Sequence, residues 1–181
     1  MKFIYNLVKT MFFMLWCISS FAIDATEEVA EEKIYRIATD VYFPPFEYEN
    51  KDGKFVGIDV DLLEALAKEQ NFKYELLPLG FQSSMDALER GEVDAIFSGM
   101  SITEARKEVY DFSEPYLATG LALVVEENSP IASYVGEEDY SECAVMVKKG
   151  ENKELIEKIN NGLMTLKNNG TYNKIIDKYL K

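Results

Sequence analysis

Apolar positions along the chain follow two periods, one typical of β-strands and one typical of amphipathic helices. Three short apolar runs have the length and composition of strands: KIYRIATD at 33–40, FKYELLPL at 72–79 and VDAIFSG at 93–99. Segments with helical spacing separate or follow them, at 59–71, 83–91, 103–112, 152–169 and 171–180. Strand, helix, strand, helix, strand in this order predicts parallel strands joined by crossover helices, which is an α/β fold.

Local end signals predict where these elements begin. Asp59 is the expected N-cap of the first helix, and Ser83 with Asp86 has the spacing of a capping box at the start of the second. The third helix is expected to begin at Thr103. NKDGK at 50–54 contains the turn residues of a β-hairpin.

The first residues of the chain have the pattern of an export signal. Lysines flank the apolar run MFFMLWCI, and small residues follow it, which predicts a signal peptide at 1–22 cleaved after Ala22. Cys17 is not expected to carry a lipid, because Trp16 stands where a lipoprotein signal needs a small residue. Residues 23–32 form an acidic leader. We therefore expect a protein exported to the periplasm.

Composition narrows the classes of function. The chain has 181 residues, 48% of them hydrophobic, which is typical of a globular domain. A net charge of −13 argues against binding nucleic acid or an anionic membrane. There is no histidine, Cys143 is the only cysteine after the signal peptide, and no metal spacing or P-loop occurs. These features predict a protein that is not an enzyme and holds no cofactor or metal.

One end of the predicted sheet carries the residues of an anion site. The third strand ends at SGMSIT, where Gly99 lets a ligand approach the backbone and Ser101 offers a hydroxyl. Arg106 follows in the first turn of the next helix and can bind a carboxylate with two N–H groups. The alternative is that Thr103 only caps the helix and Arg106 is a solvated surface charge.

The other two strands end in an acid and aromatic rings. Asp40 ends the first strand with Phe43 just beyond it, and Phe81 follows the second. An acid can hold an ammonium, guanidinium or amide group, and aromatic rings can line a slot for a side chain. Alternatively, Asp40 caps a turn and Phe43 belongs to the core. An anion site and an acid on one sheet edge together predict a zwitterionic ligand, a free amino acid.

Longer motifs carry a family resemblance. The chain resembles the family 3 extracellular solute-binding proteins, the polar amino-acid receptors of ABC importers, over nearly all of residues 33–125 and 143–181. The motifs that carry it are ATDVYFPPFEY, DGKFVGIDVDLLEALAKE, MDALERGEVDAIFSGMSITEARKEVYDFSEPY and KKGENKELIEKINNGLMTLKNNGTYNKIIDKYL.

The resemblance implies a role for each site residue. Arg106, the backbone and hydroxyl of Ser101 and the backbone of Gly99 would bind the α-carboxylate. Asp40 would meet the polar side-chain end or the amino group of the ligand, and two phenylalanines would line the side-chain slot, Phe43 and Phe81. The ligand is then cationic or polar, with arginine, lysine, histidine and glutamine all open. The partner would be an ABC permease in the inner membrane.

The family fold is a two-lobed clamp, and this chain departs from it. Between SEPYLATGLALVV and SECAVMVKKG a usual member places a whole second lobe, whereas here EENSPIASYVGEEDYSE at 126–142 bridges them. We expect a single lobe of a periplasmic-binding-protein type II clamp, with a mostly parallel sheet and a hinge-strand hairpin replacing the second lobe. The domains expected are lobe one, a hairpin with the remnant of lobe two, and the C-terminal helices of lobe one, at 33–120, 121–147 and 148–181.

Loss of the second lobe leaves three readings of function. The first is an amino-acid receptor that binds weakly because half of the clamp is missing. The second is an interaction or sensor module that dimerises through residues 116–147, where Leu121, Leu123, Val125, Val145 and Val147 are expected to be partly uncovered. The third is an enzyme, since some family relatives are dehydratases of cyclohexadienyl substrates, but it would need an acid from the missing lobe.

Overall fold

A computed structural model describes residues 33–120 and 140–180 of the chain. The predictions on the signal peptide, on the acidic leader and on most of the 126–142 stretch lie outside the described residues. No helix in the described part of the chain is long and apolar enough to cross a membrane.

Short strands alternate with helices along the described chain. The strands are β1 Ile34–Thr39, β2 Tyr48–Glu49, β3 Phe55–Val56, β4 Lys73–Pro78, β5 Ala95–Ile96, β6 Tyr110–Phe112, β7 Leu117–Gly120, β8 Tyr140–Cys143 and β9 Met146–Lys148. The helices are α1 Ile58–Glu69, α2 Phe81–Glu89, α3 Glu104–Val109, α4 Lys153–Asn168 and α5 Thr171–Leu180. The NKDGK turn joins β2 and β3, which pair antiparallel as predicted.

The main sheet is mostly parallel. Its five strands lie in the order β4-β1-β5-β9-β6. β1 lies between β4 and β5 and runs parallel to both, whereas β9 runs antiparallel to its two neighbours. The predicted α/β fold is therefore confirmed, with one strand of opposite direction contributed by the chain's return after β8.

Helices cover both faces of this sheet. On one face Leu62, Leu63 and Leu66 of α1 pack in a core with Leu155 and Ile159 of α4, all essentially inaccessible to solvent. On the other face α2 contributes a smaller core built from Ala87, Leu88 and residues of the sheet. β5 is buried on both faces, with Ala95 in the larger core and Ile96 in the smaller one, as expected of an interior strand of such a sheet. β4 at the edge of the sheet instead keeps exposed polar positions, Lys73 and Glu75.

The start of α1 corrects one prediction. Asp59 does not cap the helix, which begins at Ile58 after Gly57 and has no side-chain cap. Gly57 has a φ of 147°, and a Cβ there would lie 2.0 Å from the carbonyl oxygen of Phe46, so only glycine fits this close approach. Asp59 instead lies in the first turn with 2% of its surface exposed.

The predicted capping box of the second helix is also wrong. α2 begins at Phe81, directly after Gly80 with a φ of 85°, so Ser83 lies inside the helix. Asp86 accepts a hydrogen bond from the Gln82 side chain at 2.9 Å instead of capping. The predicted start of the third helix at Thr103 is confirmed, because the Thr103 hydroxyl accepts a hydrogen bond from the Arg106 N–H at 3.2 Å.

The predicted hairpin forms, but its expected exposed face is partly wrong. β7 and β8 pair antiparallel in a two-stranded sheet of their own, from Leu117 opposite Cys143 to Gly120 opposite Tyr140. Val145 and Val147 are fully buried, because the chain after β8 enters the middle of the main sheet as β9. The other three residues expected to be uncovered, Leu121, Leu123 and Val125, lie outside the described residues.

Candidate ligand-binding site

Three neighbouring parallel strands bring the predicted site residues to one edge of the sheet. The chain leaves β1 at Asp40, leaves β4 just before Phe81, and leaves β5 toward Gly99 and Ser101. Loops that follow neighbouring parallel strands converge at their carboxyl ends, where open α/β sheets bind ligands. All the predicted site residues therefore lie together.

They line one pocket, which we call the strand-end pocket. Its volume is about 240 Å³, and it is lined by Asp40, Phe43, Phe81, Ser98, Gly99, Met100, Ser101 and Arg106. Small-molecule pockets usually hold roughly 300–1,000 Å³. The strand-end pocket is thus smaller than a complete site for a small molecule.

Arg106 is fixed against the wall of the pocket. One guanidinium N–H donates to the carbonyl oxygen of Ser101 at 2.8 Å, and the guanidinium carbon lies 6.0 Å from the centre of the Phe81 ring. Within the described residues, Arg106 forms no ion pair, and neither the N–H nor the hydroxyl of Ser101 has a hydrogen-bond partner. The other guanidinium N–H groups of Arg106, together with the N–H and hydroxyl of Ser101, therefore have no hydrogen-bond acceptor among the described residues.

Asp40 lies on the other side of the same pocket. Its carboxylate accepts the N–H of Val41 at 2.6 Å, and no cation among the described residues pairs with it. Its own N–H donates to the Ser98 hydroxyl at 3.2 Å, and that hydroxyl donates to the buried carboxyl of Glu47. Glu47 therefore supports the backbone that carries Asp40.

The floor of the strand-end pocket is formed by Gly99, and two stacked rings beside it leave no room for a side chain at that position. Phe43 and Phe46 stack with centroids 5.0 Å apart and an angle of 19° between the planes. A Cβ on Gly99 would lie 2.9 Å from the Phe43 ring, and Gly99 has a φ of 52°, which side chains disfavour. Phe43 remains 44% exposed, so it belongs to the pocket mouth and not to the core.

The structure corrects the expected role of the Gly99 N–H. This group does not point to a free site, because it donates to the Asp59 carboxylate at 2.6 Å and lies 3.1 Å from the Tyr116 hydroxyl oxygen. The Tyr116 hydroxyl also donates to the same Asp59 oxygen, at 2.8 Å. Gly99 lines the pocket, but its amide is used to hold the floor in place.

The family follows from comparison with known proteins. The model of the bacterial extracellular solute-binding proteins, family 3, matches residues 35–181. The chain belongs to this family.

Curated proteins similar to this family 3 member are receptors for basic amino acids. The arginine-binding periplasmic protein of Mannheimia haemolytica is 35% identical over 96 residues, which are 53% of this chain and 40% of that protein. The histidine-binding periplasmic protein of Escherichia coli K12 is 36% identical over 96 residues, or 53% of this chain and 37% of that protein. The chain thus spans about two fifths of the length of these relatives.

Solved structures of similar fold are substrate-binding domains. Substrate-binding domain 2 of GlnP from Lactococcus lactis, in an open conformation, has a TM-score of 0.70 and 31% identity, with 83% of this chain and 96% of that chain covered. The arginine-, lysine- and histidine-binding protein ArtJ of Geobacillus stearothermophilus has a TM-score of 0.72 over 82% and 95% of the two chains, and at 24% identity it supports the fold alone. The described residues form a single lobe of the periplasmic-binding-protein type II fold.

Two buried acids below the pocket were missed as site residues. Glu47 is 0% exposed and Asp59 2% exposed. Asp59 shares the helical spacing of Leu62, Leu63 and Leu66, so an acid on the apolar face of α1 was the signal that could have revealed it. Ser98 and Met100, which also line the pocket, stand inside the SGMS motif that the sequence had already indicated.

Burial raises the pKa of both acids. Loss of hydration, and after it the nearby Asp59 charge, raise the pKa of Glu47 to about 8 against the opposing hydrogen bonds from the Ser98 hydroxyl and the Asp40 backbone. Burial also raises the pKa of Asp59 to about 7, against the opposing hydrogen bonds from Gly99 and Tyr116. Glu47 and Asp59 each keep one buried oxygen without a partner among the described residues, as expected of groups that hold a proton easily.

We expect the fold to be more stable in mild acid than in mild alkali. A carboxyl whose pKa is higher in the folded than in the unfolded state stabilises the fold fully below its usual value, and loses that contribution as pH rises through the folded value. The melting temperature should therefore fall as pH rises from about 4.5, near the usual carboxyl values, to about 8, the folded value of Glu47, and level off above that. Calorimetric scans of the wild type and of Glu47→Gln, which mimics the neutral acid, test this. An equally steep fall in Glu47→Gln would contradict the assignment.

Proposed function

We propose that this chain is an extracytoplasmic substrate-binding protein of an ABC importer, which binds a polar or cationic L-amino acid without covalent chemistry. The observation that carries the proposal is the presence of two opposite charges in one pocket, Arg106 and Asp40, neither of which forms an ion pair within the described residues. A zwitterion complements such a pocket. Relatives named for binding arginine and histidine support the same class of ligand.

The donors on one side suit an α-carboxylate. Arg106 uses one guanidinium N–H on Ser101 and keeps the others for a two-point contact with a carboxylate. The N–H and hydroxyl of Ser101 supply further donors. Gly99 has no side chain, so the ligand can lie close to its backbone, but its N–H donates to Asp59 and not to the ligand.

The acceptors on the other side suit an ammonium, guanidinium or amide. Asp40 supplies a partly buried carboxylate. Phe43 and Phe81, 44% and 46% exposed, offer ring faces along the path of a ligand side chain. These roles allow arginine, lysine, histidine or glutamine as the ligand.

Affinity is expected to be weak. The family clamp encloses its ligand between two lobes, and a single lobe leaves the ligand in contact with water, which screens its charges. A micromolar complex corresponds to about −8 kcal/mol, and losing roughly half of that leaves millimolar binding.

Location and partner complete the proposal. The relatives from Mannheimia haemolytica and Escherichia coli are named as periplasmic, which supports export of this chain. Cleavage after Ala22 stays a prediction from the sequence. The receptor would then deliver its ligand to an ABC permease in the inner membrane.

Loss of the Arg106 side chain should weaken amino-acid binding. In calorimetric titrations of the chain from residue 23 with L-arginine, L-lysine, L-histidine and L-glutamine, we expect one or more millimolar dissociation constants. Arg106→Ala should weaken binding at least about tenfold, since it removes hydrogen bonds between charged groups. Arg90→Ala is the matched control, because Arg90 pairs with Glu92 on the surface and does not line the pocket. Equal binding by wild type and Arg106→Ala would contradict the carboxylate role, and micromolar binding by a monomer would contradict the predicted weakness.

The second candidate function is an interaction or sensor module, favoured by the hairpin of β7 and β8. This hairpin forms a two-stranded sheet of its own, and two strands alone are marginally stable. The outer edge of β8 is bound to the segment of Ser101, because the Ile102 N–H donates to the Glu142 carbonyl oxygen at 2.8 Å. The pairing edge in this candidate is therefore the outer edge of β7, which would add a strand from a second copy of the chain. A homodimer through residues 116–147 would result.

Sedimentation distinguishes the two candidates. The interaction module predicts a dimer at micromolar concentrations without any amino acid present. A single monomeric species at several hundred micromolar would contradict this second candidate and leave the receptor as the function.

A further inference from the structure

Asp59 lies directly beneath the strand-end pocket and holds its floor. The side chain extends from the first turn of α1, is 2% exposed, and accepts the Gly99 N–H at 2.6 Å. This distance is short even for a hydrogen bond to a carboxylate, which usually measures about 2.7–2.9 Å. The peptide at the bottom of the pocket is therefore fixed from below by a charge that solvent does not reach.

The same carboxylate connects the floor to the base of the hairpin. Its Oδ2 atom also accepts the Tyr116 hydroxyl at 2.8 Å, and Tyr116 directly precedes β7. The N–H of Tyr116 donates to the carbonyl of Cys143, the last residue of β8, at 2.9 Å. The Cys143 thiol donates a hydrogen bond to the carbonyl oxygen of Gly99, with a distance of 3.4 Å from Sγ to the oxygen. The Gly99 peptide is thus held on both sides by one connected set of groups.

Contacts show which of the two buried acids carries the charge. Asp59 receives two donors on one oxygen, the Gly99 N–H at 2.6 Å and the Tyr116 hydroxyl at 2.8 Å. Glu47 receives the Ser98 hydroxyl with a smaller contribution from the Asp40 backbone, and the charge of Asp59 opposes its ionisation. These contacts favour the ionised form of Asp59 and the protonated form of Glu47. The pair should therefore hold a single proton near neutral pH, on Glu47, with Asp59 ionised.

All ionisable groups near Asp59 are acids. Glu47 faces it from the segment before β2, Tyr116 from the segment before β7 and Cys143 from β8, with Asp40 beyond Glu47. No described cation neutralises Asp59 in an ion pair. The ionised form of Asp59 is therefore stabilised by its two hydrogen-bond donors, the backbone N–H of Gly99 and the Tyr116 hydroxyl.

We propose that Asp59 is a positioning residue of the strand-end pocket, which holds the Gly99 peptide in its binding geometry when ionised and releases it when protonated. This inference rests on the proposed function only for its consequence, that an amino acid binds more tightly above than below neutral pH. The positioning itself is a property of the protein without ligand.

The Gly99 amide resonance reports the protonation of Asp59 directly. In spectra of the ¹⁵N-labelled chain without ligand, the Gly99 amide proton should move upfield as pH falls from 8.5 to 5.5, because the bond to the carboxylate weakens. Asp59→Asn should abolish this titration. Glu69→Gln is the matched control, an exposed acid on the same helix, and should titrate like the wild type. A Gly99 amide that does not respond to pH in the wild type would overturn the proposal.

Tyr116→Phe provides a variant that keeps the buried acid. Removing the hydroxyl takes away a donor that lowers the pKa of Asp59. The midpoint of the Gly99 titration should therefore move to higher pH, a response that a purely structural tyrosine would not produce. An unchanged midpoint would contradict the connection through Tyr116, and this test stands even where Asp59→Asn does not fold.

Ligand titrations then test the consequence. With L-arginine as the probe, followed by the Ser101 amide resonance, the dissociation constant should rise about tenfold from pH 8 to pH 6 in the wild type, the effect of one lost hydrogen bond to a charged group. Asp59→Asn should bind weakly at both pH values. Absence of any L-arginine binding with a normal Gly99 titration would contradict the proposed function and not the positioning, whereas a flat Gly99 titration would contradict the positioning alone.

Discussion

Three parallel strands, β4, β1 and β5, end at one edge of the sheet, and the candidate site depends on this alignment. Each strand delivers one part of the pocket: β1 delivers Asp40, β4 leads to Phe81, and β5 leads to the loop of Gly99 and Ser101. Because β1 and β5 contribute residues to the cores on both faces of the sheet, packing fixes their register. β4 lies at the edge and is partly exposed, and its register is set by pairing with β1 from Ile34 opposite Lys73 to Thr39 opposite Pro78. The loops that follow these strands therefore begin at fixed positions. The charges of the pocket are thus placed by the core and not by contacts with each other.

Holding the loops in place requires buried polar groups below the pocket. Glu47 supports the loop of Asp40 through the Ser98 hydroxyl, and Asp59 supports the loop of Gly99 through its N–H. Buried carboxyl groups cost free energy unless they are hydrogen-bonded or neutral. In our proposal Glu47 is neutral and Asp59 is ionised and hydrogen-bonded near neutral pH. Protonation of Asp59 then links the geometry of the pocket to pH.

Sequence patterns predicted the parts of the structure that depend on neighbouring residues. The first two strands, the C-terminal helices and the positions of Asp40 and Arg106 follow from period and from strand ends, and these were placed as expected. The helix predicted at 103–112 ends at Val109, because Tyr110–Phe112 pair with β9 as strand β6, a long-range contact that the local helical spacing did not reveal. The start of α1 was wrong because a local capping rule suggested Asp59, whereas the close approach of Gly57 to Phe46 moves the helix start and buries the acid. Likewise, Val145 and Val147 were expected at an exposed hairpin, and only the long-range pairing of β9 inside the sheet buries them.

If the strand-end pocket of this single lobe binds the charged ends of an amino acid, adding L-arginine to the ¹⁵N-labelled chain should shift the amide resonances that surround it. We expect saturating changes concentrated at Asp40, Gly99, Ser101 and Arg106, with a millimolar midpoint. Changes confined to other surfaces, or none at 50-fold the expected dissociation constant, would contradict binding in this pocket.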